Sequence, residues 1–95
     1  MEPLHTPETD RLFDAILRLT TREECYALFE DLCTIREVRD LSQRFEVAEM
    51  LAAGRSYQEI SVATGASTAT ICRVNKCLLY GKGGYRAALA AEENE

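Results

Sequence analysis

A run of short hydroxyl side chains followed by two cations marks the segment of this chain best suited to contact a polyanion. Residues 67–76 read "STATICRVNK", and Glu59 is the one acidic residue between positions 58 and 82. A threonine hydroxyl can donate to a base edge or accept from it, its methyl can touch thymine, and arginine and lysine reach guanine or phosphate. These residue types predict contacts with double-stranded DNA from Ser67, Thr68, Ala69, Thr70, Cys72, Arg73 and Lys76.

Other chemistry has little support among the residue types. Cys25 and Cys33 are eight positions apart, and Cys72 and Cys77 are five apart, whereas zinc sites use closely spaced C-x2-C pairs. The single histidine, His5, belongs to no Ser–His or Cys–His motif, and "GKGG" at 81–84 is too short for a phosphate-binding loop. We expect no catalytic residue, no metal and no cofactor, and thiols that are reduced and mostly packed inside the protein.

Helix-start signals show which elements must position the DNA-contacting residues. Thr6 precedes Pro7, which favours a helix N-terminus at this point. Capping boxes, each a Ser or Thr followed three residues later by Glu, recur at 21–24, 34–37 and 56–59. Nothing reads as a strand, so the predicted fold is all-α with five to six helices. The helices are expected to end near Leu19, Ala53, Thr64 and Tyr80, with a last helical piece in "YRAALAA".

Residues 56–80 have the pattern of a helix-turn-helix. Gly65 suits the left-handed position of the turn, Ser67 caps the second helix, and Ser61 is small where the two helices approach each other. The positions that must be apolar for the two helices to pack are Ile60, Ala66, Ile71 and Val74. The alternative interpretation of the same pattern is an ordinary helical hairpin.

The charge of the chain is unevenly divided. The formal net charge is −5, and residues 1–53 hold six arginines against twelve acidic side chains. Residues 54–86 instead hold five cations against Glu59 alone. A basic block that coincides with a helix-turn-helix favours a polyanionic partner. The alternative is that these five cations form a solvated helical surface.

Length and hydropathy limit the class of protein. A chain of 95 residues buries roughly 60–65% of its unfolded surface, so it gains stability by sharing a core with a second copy. No apolar run approaches the roughly 18 residues of a membrane span, and no signal sequence opens the chain. We expect a single domain over residues 1–95 in the cytoplasm, with no membrane partner.

Three short motifs carry a family resemblance. They are the helix end from Arg44 to Gly54, "S-x-x-E-[IL]" at Ser56–Ile60, and "G-A-x-x-A-T-I-x-R" at Gly65–Arg73. Together they make the run from 41 to 78 resemble the Trp repressor family, most closely its Trp-repressor-like branch typified by the YerC/YecD proteins. With the preceding helices, the resemblance covers residues 7–80.

The resemblance implies a Trp-repressor-like intertwined homodimer. Residues 1–55 would be the N-terminal helices for dimerisation, 56–80 the C-terminal helix-turn-helix, and 81–95 a Gly-rich linker with an acidic tail. From its composition alone, the final "EENE" is expected to be disordered. Two recognition helices would then enter successive major grooves about 34 Å apart. In the family, the residues that match Thr68, Ala69, Thr70 and Cys72 face base edges, and the residue that matches Ser56 lies near phosphate. Ser61 stands where the repressor has a DNA-facing lysine.

The resemblance also implies a ligand-binding site. The founding member of the family binds a corepressor amino acid between two arginines, which match Arg44 and Arg73 here. Val74 stands in place of a glycine beside that ligand, and Cys77 in place of a serine that contacts its amino group. Because Val74 fills space that an indole would need, we expect a different small-molecule effector, of unknown identity, or none. Alternatively, Arg44 forms a surface ion pair with Asp40, four residues earlier on the same helical face.

Two functions remain open from the sequence. The first is a sequence-specific DNA-binding transcriptional regulator, a homodimeric repressor that is not an enzyme. The second is an all-α dimeric protein-interaction module of the transcription machinery without sequence-specific DNA binding, which the net charge of −5 favours because long-range repulsion lowers affinity for DNA.

Overall fold

Six helices make up the part of the chain that the structure describes. A computed structural model describes residues 3–93, with side chains up to residue 91, and no strand occurs in this range. The helices are α1 (Pro7–Leu17), α2 (Arg22–Leu32), α3 (Ile35–Ala52), α4 (Tyr57–Thr64), α5 (Thr68–Tyr80) and α6 (Gly84–Glu93). The prediction of an all-α fold is confirmed, and "YRAALAA" does form a last helix. The expectation of a disordered "EENE" is wrong for Glu92 and Glu93, which belong to α6, and residues 94 and 95 lie outside the described range.

The helix-start signals form as the sequence predicts. The Thr6 hydroxyl accepts a hydrogen bond from the Thr9 backbone N–H (3.1 Å) at the start of α1. At α3, the Thr34 backbone N–H donates to the Glu37 carboxylate (2.8 Å), and the Glu37 N–H donates to the Thr34 hydroxyl (3.1 Å). The same reciprocal bonds occur at α2 and α4. A cap of this kind is worth about 1 kcal/mol because it satisfies backbone N–H groups that have no partner inside the helix.

The chain divides into two units after Val38, within α3. In the first unit, neither α1 nor α2 has a buried residue. Several of its large apolar side chains are exposed instead, 80% for Leu17, 70% for Ile35, 61% for Tyr26 and 50% for Phe13, and others such as Phe29 are half-buried. The resemblance predicts a dimer contact for these helices, which the burial within a single chain does not test.

The second unit has a core. Six apolar residues are fully buried, and they come from α3, α4, the turn after α4, and α5: Val47, Ala48, Ile60, Ala66, Ile71 and Val74. Met50, Leu51 and Tyr85 pack against this cluster. The four positions that the helix-turn-helix pattern required to be apolar are therefore all in the core, and the α4–α5 pair is held against α3.

The expectation of packed thiols is wrong. Cys25, Cys72 and Cys77 are exposed, Cys33 is half-buried, and all four are free. The reason is that Cys25 lies on a helix that buries nothing in the single chain, while the core of the second unit takes other positions of α5. Within the described range, no helix is long and apolar enough to cross a membrane. No group of three or more His, Cys, Asp or Glu in the same range could hold a metal ion.

Candidate nucleic-acid interface

The turn between α4 and α5 is closed by hydrogen bonds from side chains. Gly65 has a φ of 73°, the left-handed conformation that the turn requires, and its N–H donates to the Ser61 carbonyl (2.9 Å). The Thr64 hydroxyl donates to the Ile60 carbonyl (2.8 Å) and accepts from the Ala66 N–H (3.1 Å). The Ser61 hydroxyl donates to the Ala66 carbonyl (3.1 Å). These bonds fix the local shape of the turn, and the Gly65 N–H satisfies the Ser61 carbonyl, which has no amide partner inside α4.

Ser61 therefore has a structural role in the turn. It is half-buried, and its hydroxyl is committed to the carbonyl of the turn. The sequence indicated only that Ser61 is small and that it replaces a DNA-facing lysine of the family. The hydroxyl, rather than the small size alone, links α4 to the start of α5.

Gln43 contributes to the turn from α3, and sequence reasoning missed it. Its side-chain amide nitrogen donates to the Thr64 carbonyl across 3.1 Å, which joins residues 21 positions apart. The available signal was that Gln43 lies one helical turn before Val47, so both side chains point to the same side of α3. Val47 is fully buried, and a polar residue on that side needs a partner.

The start of α5 is open to an anion. Ser67 caps this helix by accepting from the Thr70 N–H (3.1 Å), and the first turn contains no acidic residue. Thr68 and Ala69 are exposed there. Because the first N–H groups of a helix carry partial positive charge, a phosphate or a base acceptor is favoured at this position.

The start of α4 is already occupied by a carboxylate of the same chain. The Ser56 N–H donates to one oxygen of Glu59 (3.0 Å), and the Glu59 N–H donates to the Ser56 hydroxyl (3.1 Å). Arg55 pairs with the other oxygen of Glu59 at 3.0 Å. The Ser56 backbone N–H, then the Ser56 hydroxyl, then Arg55 lower the pKa of Glu59, so it is ionised at neutral pH. The N-termini of α4 and α5 thus differ: the first is neutralised internally and the second is not.

The predicted DNA-contacting residues of α5 share a solvent-facing surface, which we call the α5 surface. Its exposed members are Ser67, Thr68, Ala69, Cys72, Arg73 and Lys76. Thr70 is half-buried, and its hydroxyl lies 3.1 Å from that of Ser67, so it takes part in the cap. Ile71 and Val74 lie in the core on the other side of the helix. The structure therefore places all seven residues between the N-cap of α5 and Lys76, with Thr70 the least accessible.

The basic block does not act as one charge cluster. Arg86 turns towards the end of α5, where Nε donates to the Leu78 carbonyl (2.9 Å) and a terminal nitrogen donates to the Leu79 carbonyl (3.2 Å). A cation at this end is favourable because helix C-termini carry partial negative charge. Arg55 is paired with Glu59. The exposed charge on the α5 surface consequently comes from Arg73 and Lys76.

The four residues matched to the corepressor site are placed differently from one another. Val74 is 1% exposed and belongs to the core, Arg44 is half-buried on α3, and Arg73 and Cys77 are exposed. Cys77 lines a cavity of about 500 Å³ with Phe45, Gly81, Lys82, Gly84, Tyr85 and Ala88, and neither arginine lines it. In the described part of the chain, Arg44 and Asp40 do not form the ion pair that was the alternative expectation.

The chain is similar to known proteins along nearly its whole length. A sequence profile described as Trp repressor protein matches residues 7–93. The uncharacterised protein YerC of Bacillus subtilis (strain 168) is 53% identical over 89 residues, which cover 94% of this chain and 86% of YerC. The crystal structure of a TrpR-like protein from Eubacterium eligens ATCC 27750 superposes with a TM-score of 0.92 at 51% identity, over 95% of this chain and 93% of the other.

A second crystal structure, of a protein from Staphylococcus aureus, has a TM-score of 0.91 at 48% identity and covers 97% of this chain and 92% of its own. The matched range includes all six helices and every residue of the α5 surface. On this similarity of sequence and fold, the chain belongs to the Trp repressor family.

Proposed function

We propose that this protein is a sequence-specific DNA-binding transcriptional regulator that acts as a homodimer and represses by occupying its operator. The observation that carries the proposal is the α5 surface. It combines an uncompensated helix N-terminus with exposed Thr68, Arg73 and Lys76, and it has no carboxylate. Family membership supports the proposal because the same positions of the family's motif face DNA.

Within this proposal, the residues of the α5 surface divide into two roles. Thr68, Ala69, Thr70, Cys72 and Arg73 lie where side chains reach base edges and determine sequence preference. Lys76, Ser67 and the first N–H groups of α5 bind phosphate and determine affinity. In the cap of α4, the Ser56 N–H donates to Glu59 and the Ser56 hydroxyl oxygen accepts from the Glu59 N–H. Ser56 can therefore contact phosphate by donating its hydroxyl hydrogen.

The homodimer is supported by the first unit. Phe13, Tyr26 and Ile35 expose large apolar surfaces there, and α1 and α2 bury no residue. An apolar surface of this kind on a small chain marks a contact with another chain, and the intertwined dimer of the family supplies one. Two copies of the α5 surface would lie about 34 Å apart on one side of the DNA.

Control by tryptophan is not part of the proposal. Val74 occupies the position where the repressor has a glycine beside the ligand, and its side chain is part of the core. The regulator accordingly responds to another small molecule or binds its operator without one. Arg44, Arg73 and Cys77 are the residues of the matched site that remain accessible to such an effector.

The second candidate function is a dimeric protein-interaction module. The observation that favours it is Val62, which is 82% exposed on α4 and lines the same cavity as Ser56, in a chain with a net charge of −5. An apolar side chain at that position suits a protein surface better than a phosphate backbone.

Selection from a random duplex pool, with and without candidate metabolites including tryptophan, separates the two functions. The regulator enriches one sequence with two half-sites, and tryptophan does not change the enrichment. Substitution of Thr68→Ala should alter the preferred bases at one position of each half-site, while Lys76→Ala weakens binding to all sequences alike. If no sequence is enriched even at low salt, where electrostatic binding is strongest, the interaction module is the better account.

A further inference from the structure

We propose that Gln43 is a positioning residue, which fixes α5 relative to α3 and thereby contributes to the sequence specificity of the interface; this inference rests on the proposed function. The hydrogen bond from its amide nitrogen to the Thr64 carbonyl (3.1 Å) is the connection on which the inference depends. It joins α3 directly to the residue before the turn at Gly65.

The hydrogen bonds of the turn differ in the distance along the chain that they connect. Those of Ser61 and Thr64 with their neighbours join residues two to five positions apart, so they determine the shape of the turn alone. The bond from Gln43 joins residues 21 positions apart. It therefore determines where the turn, and with it the start of α5, lies on α3.

The acceptor of this bond is a carbonyl that α4 itself cannot satisfy. Thr64 is the last residue of α4, and the left-handed Gly65 ends the helix directly after it. The last carbonyl groups of a helix have no amide partner inside the helix. Thr64 is also half-buried, so loss of the donor leaves a carbonyl with reduced access to water.

Apolar packing does not provide the same orientation. Val47, Ala48, Ile60 and Ile71 hold α3, α4 and α5 together, but attraction between apolar surfaces is not directional. A hydrogen bond requires a defined distance and angle between two atoms. Because base readout depends on donors and acceptors in register, a small rotation of α5 weakens specific contacts and leaves the attraction to phosphate unchanged.

Three variants test the role of Gln43. Gln43→Met has nearly the same length but no donor, Gln43→Lys restores a donor, and Ser42→Ala is the matched control. The Ser42 hydroxyl donates to the Arg39 carbonyl of its own helix (3.0 Å) and does not reach the turn. For each full-length variant, the dissociation constants for the selected duplex and for a scrambled duplex are measured at several salt concentrations.

The informative quantity is the dissociation constant for the scrambled duplex divided by that for the selected duplex. Gln43→Met should lower this ratio about five- to tenfold, the effect of one lost hydrogen bond, with the salt dependence unchanged because no charge is altered. Gln43→Lys should restore the ratio even though its added charge tightens binding to both duplexes. Ser42→Ala should behave as the wild type. If Gln43→Met does not fold, Gln43→Glu is a second variant without an amide donor.

Amide hydrogen exchange in the DNA-free protein provides a readout that does not depend on binding. In Gln43→Met, the amides of Gly65 and Ala66 should exchange several-fold faster, while that of Ile71 in the core is unchanged. Unchanged exchange at the turn, or a folded Gln43→Met that discriminates as well as the wild type, would overturn the positioning role and leave the proposed function intact. A wild-type protein without preference for any duplex would instead remove the proposed function, and this inference with it.

Discussion

The two units of the chain are alike in their helix-start signals and opposite in their burial. Caps form at the starts of α1 and α2 in the first unit, and at α4 and α5 in the second. Yet α1 and α2 bury nothing, while the second unit encloses six apolar residues. Local signals therefore determine where helices begin, whereas tertiary stability within one chain comes from the second unit.

This difference indicates that the two units have different roles. Full burial of a Val or Ile side chain contributes about 1.5–3 kcal/mol, so the second unit can hold the α5 surface in place. Isolated helices as short as α1 and α2, 11 residues each, are marginal in water without packing. Under the proposed function, the first unit forms the contact with a partner chain, and the second provides the DNA interface.

The largest expected effect tests whether the core lies in the second unit. Val74→Ala should lower the free energy of unfolding by about 2 kcal/mol because it removes two buried methyl groups and leaves a cavity. Val62→Ala is the matched control, because the Val62 side chain is 82% exposed. This substitution should change the free energy of unfolding by less than about 0.5 kcal/mol. Urea denaturation followed by circular dichroism measures both. Equal losses at the two positions would show that Val74 does not belong to a packed core of the second unit.

A second substitution tests the dependence of the first unit on a partner. Phe13→Ser should raise the dissociation constant of the homodimer at least tenfold, because Phe13 is 50% exposed in the single chain and is expected to be covered in the dimer. Val62→Ser, at an exposed position of the second unit, should leave the constant unchanged. Sedimentation equilibrium gives both values. A dimer that Phe13→Ser does not weaken would show that another surface holds the two chains together.

Cap removal is expected to have a smaller effect that differs between the units. Ser67→Ala should lower the free energy of global unfolding by about 1 kcal/mol, because α5 carries two residues of the core. Thr21→Ala removes an equivalent cap from α2, which lacks buried residues, so it should mainly increase local fraying in the monomer. Hydrogen exchange of the amides in each first turn distinguishes the two. Global destabilisation by Thr21→Ala in dilute monomer would contradict the comparison.

The smallest expected effect is on the pH dependence of helix content. The Thr20 backbone N–H, together with the Thr20 hydroxyl and Thr21, lowers the pKa of Glu24, and the Thr34 backbone N–H lowers that of Glu37. A carboxyl whose pKa is lower in the folded state stabilises that state above its ordinary pKa. This contribution is lost as the pH falls through the lowered pKa. The magnitude of the negative ellipticity at 222 nm should therefore decrease on acidification below about pH 4, and this decrease should be smaller in Glu24→Gln.

The sequence predicted those features that depend on residues three or four positions apart. The caps at Thr6, Thr21 and Ser56 each form between a residue and its third neighbour, so their pattern is visible without the fold. The buried positions of α4 and α5 followed from helical periodicity for the same reason. The glycine at 65 was predictable because the turn requires a positive φ.

Features that depend on packing between distant segments could not be predicted in this way. The hydrogen bond from Gln43 to Thr64 depends on how the helices pack. The same holds for Arg86, which the sequence places in the basic block but which donates to the Leu78 carbonyl. Val74 illustrates what the sequence can and cannot predict. Its apolar type and spacing predicted burial, but only the structure shows that the burial is nearly complete.

The most direct test of the central claim is the salt dependence of DNA binding by the wild type and by Lys76→Ala. Fluorescence anisotropy with a selected duplex and a scrambled duplex should show that the wild type binds the selected duplex at least about 10³-fold more tightly. The logarithm of the binding constant should fall linearly with the logarithm of salt concentration, and Lys76→Ala should reduce that slope by about one per bound protomer. Equal affinity for the two duplexes, or a slope that Lys76→Ala does not change, would contradict the assignment of the α5 surface to DNA.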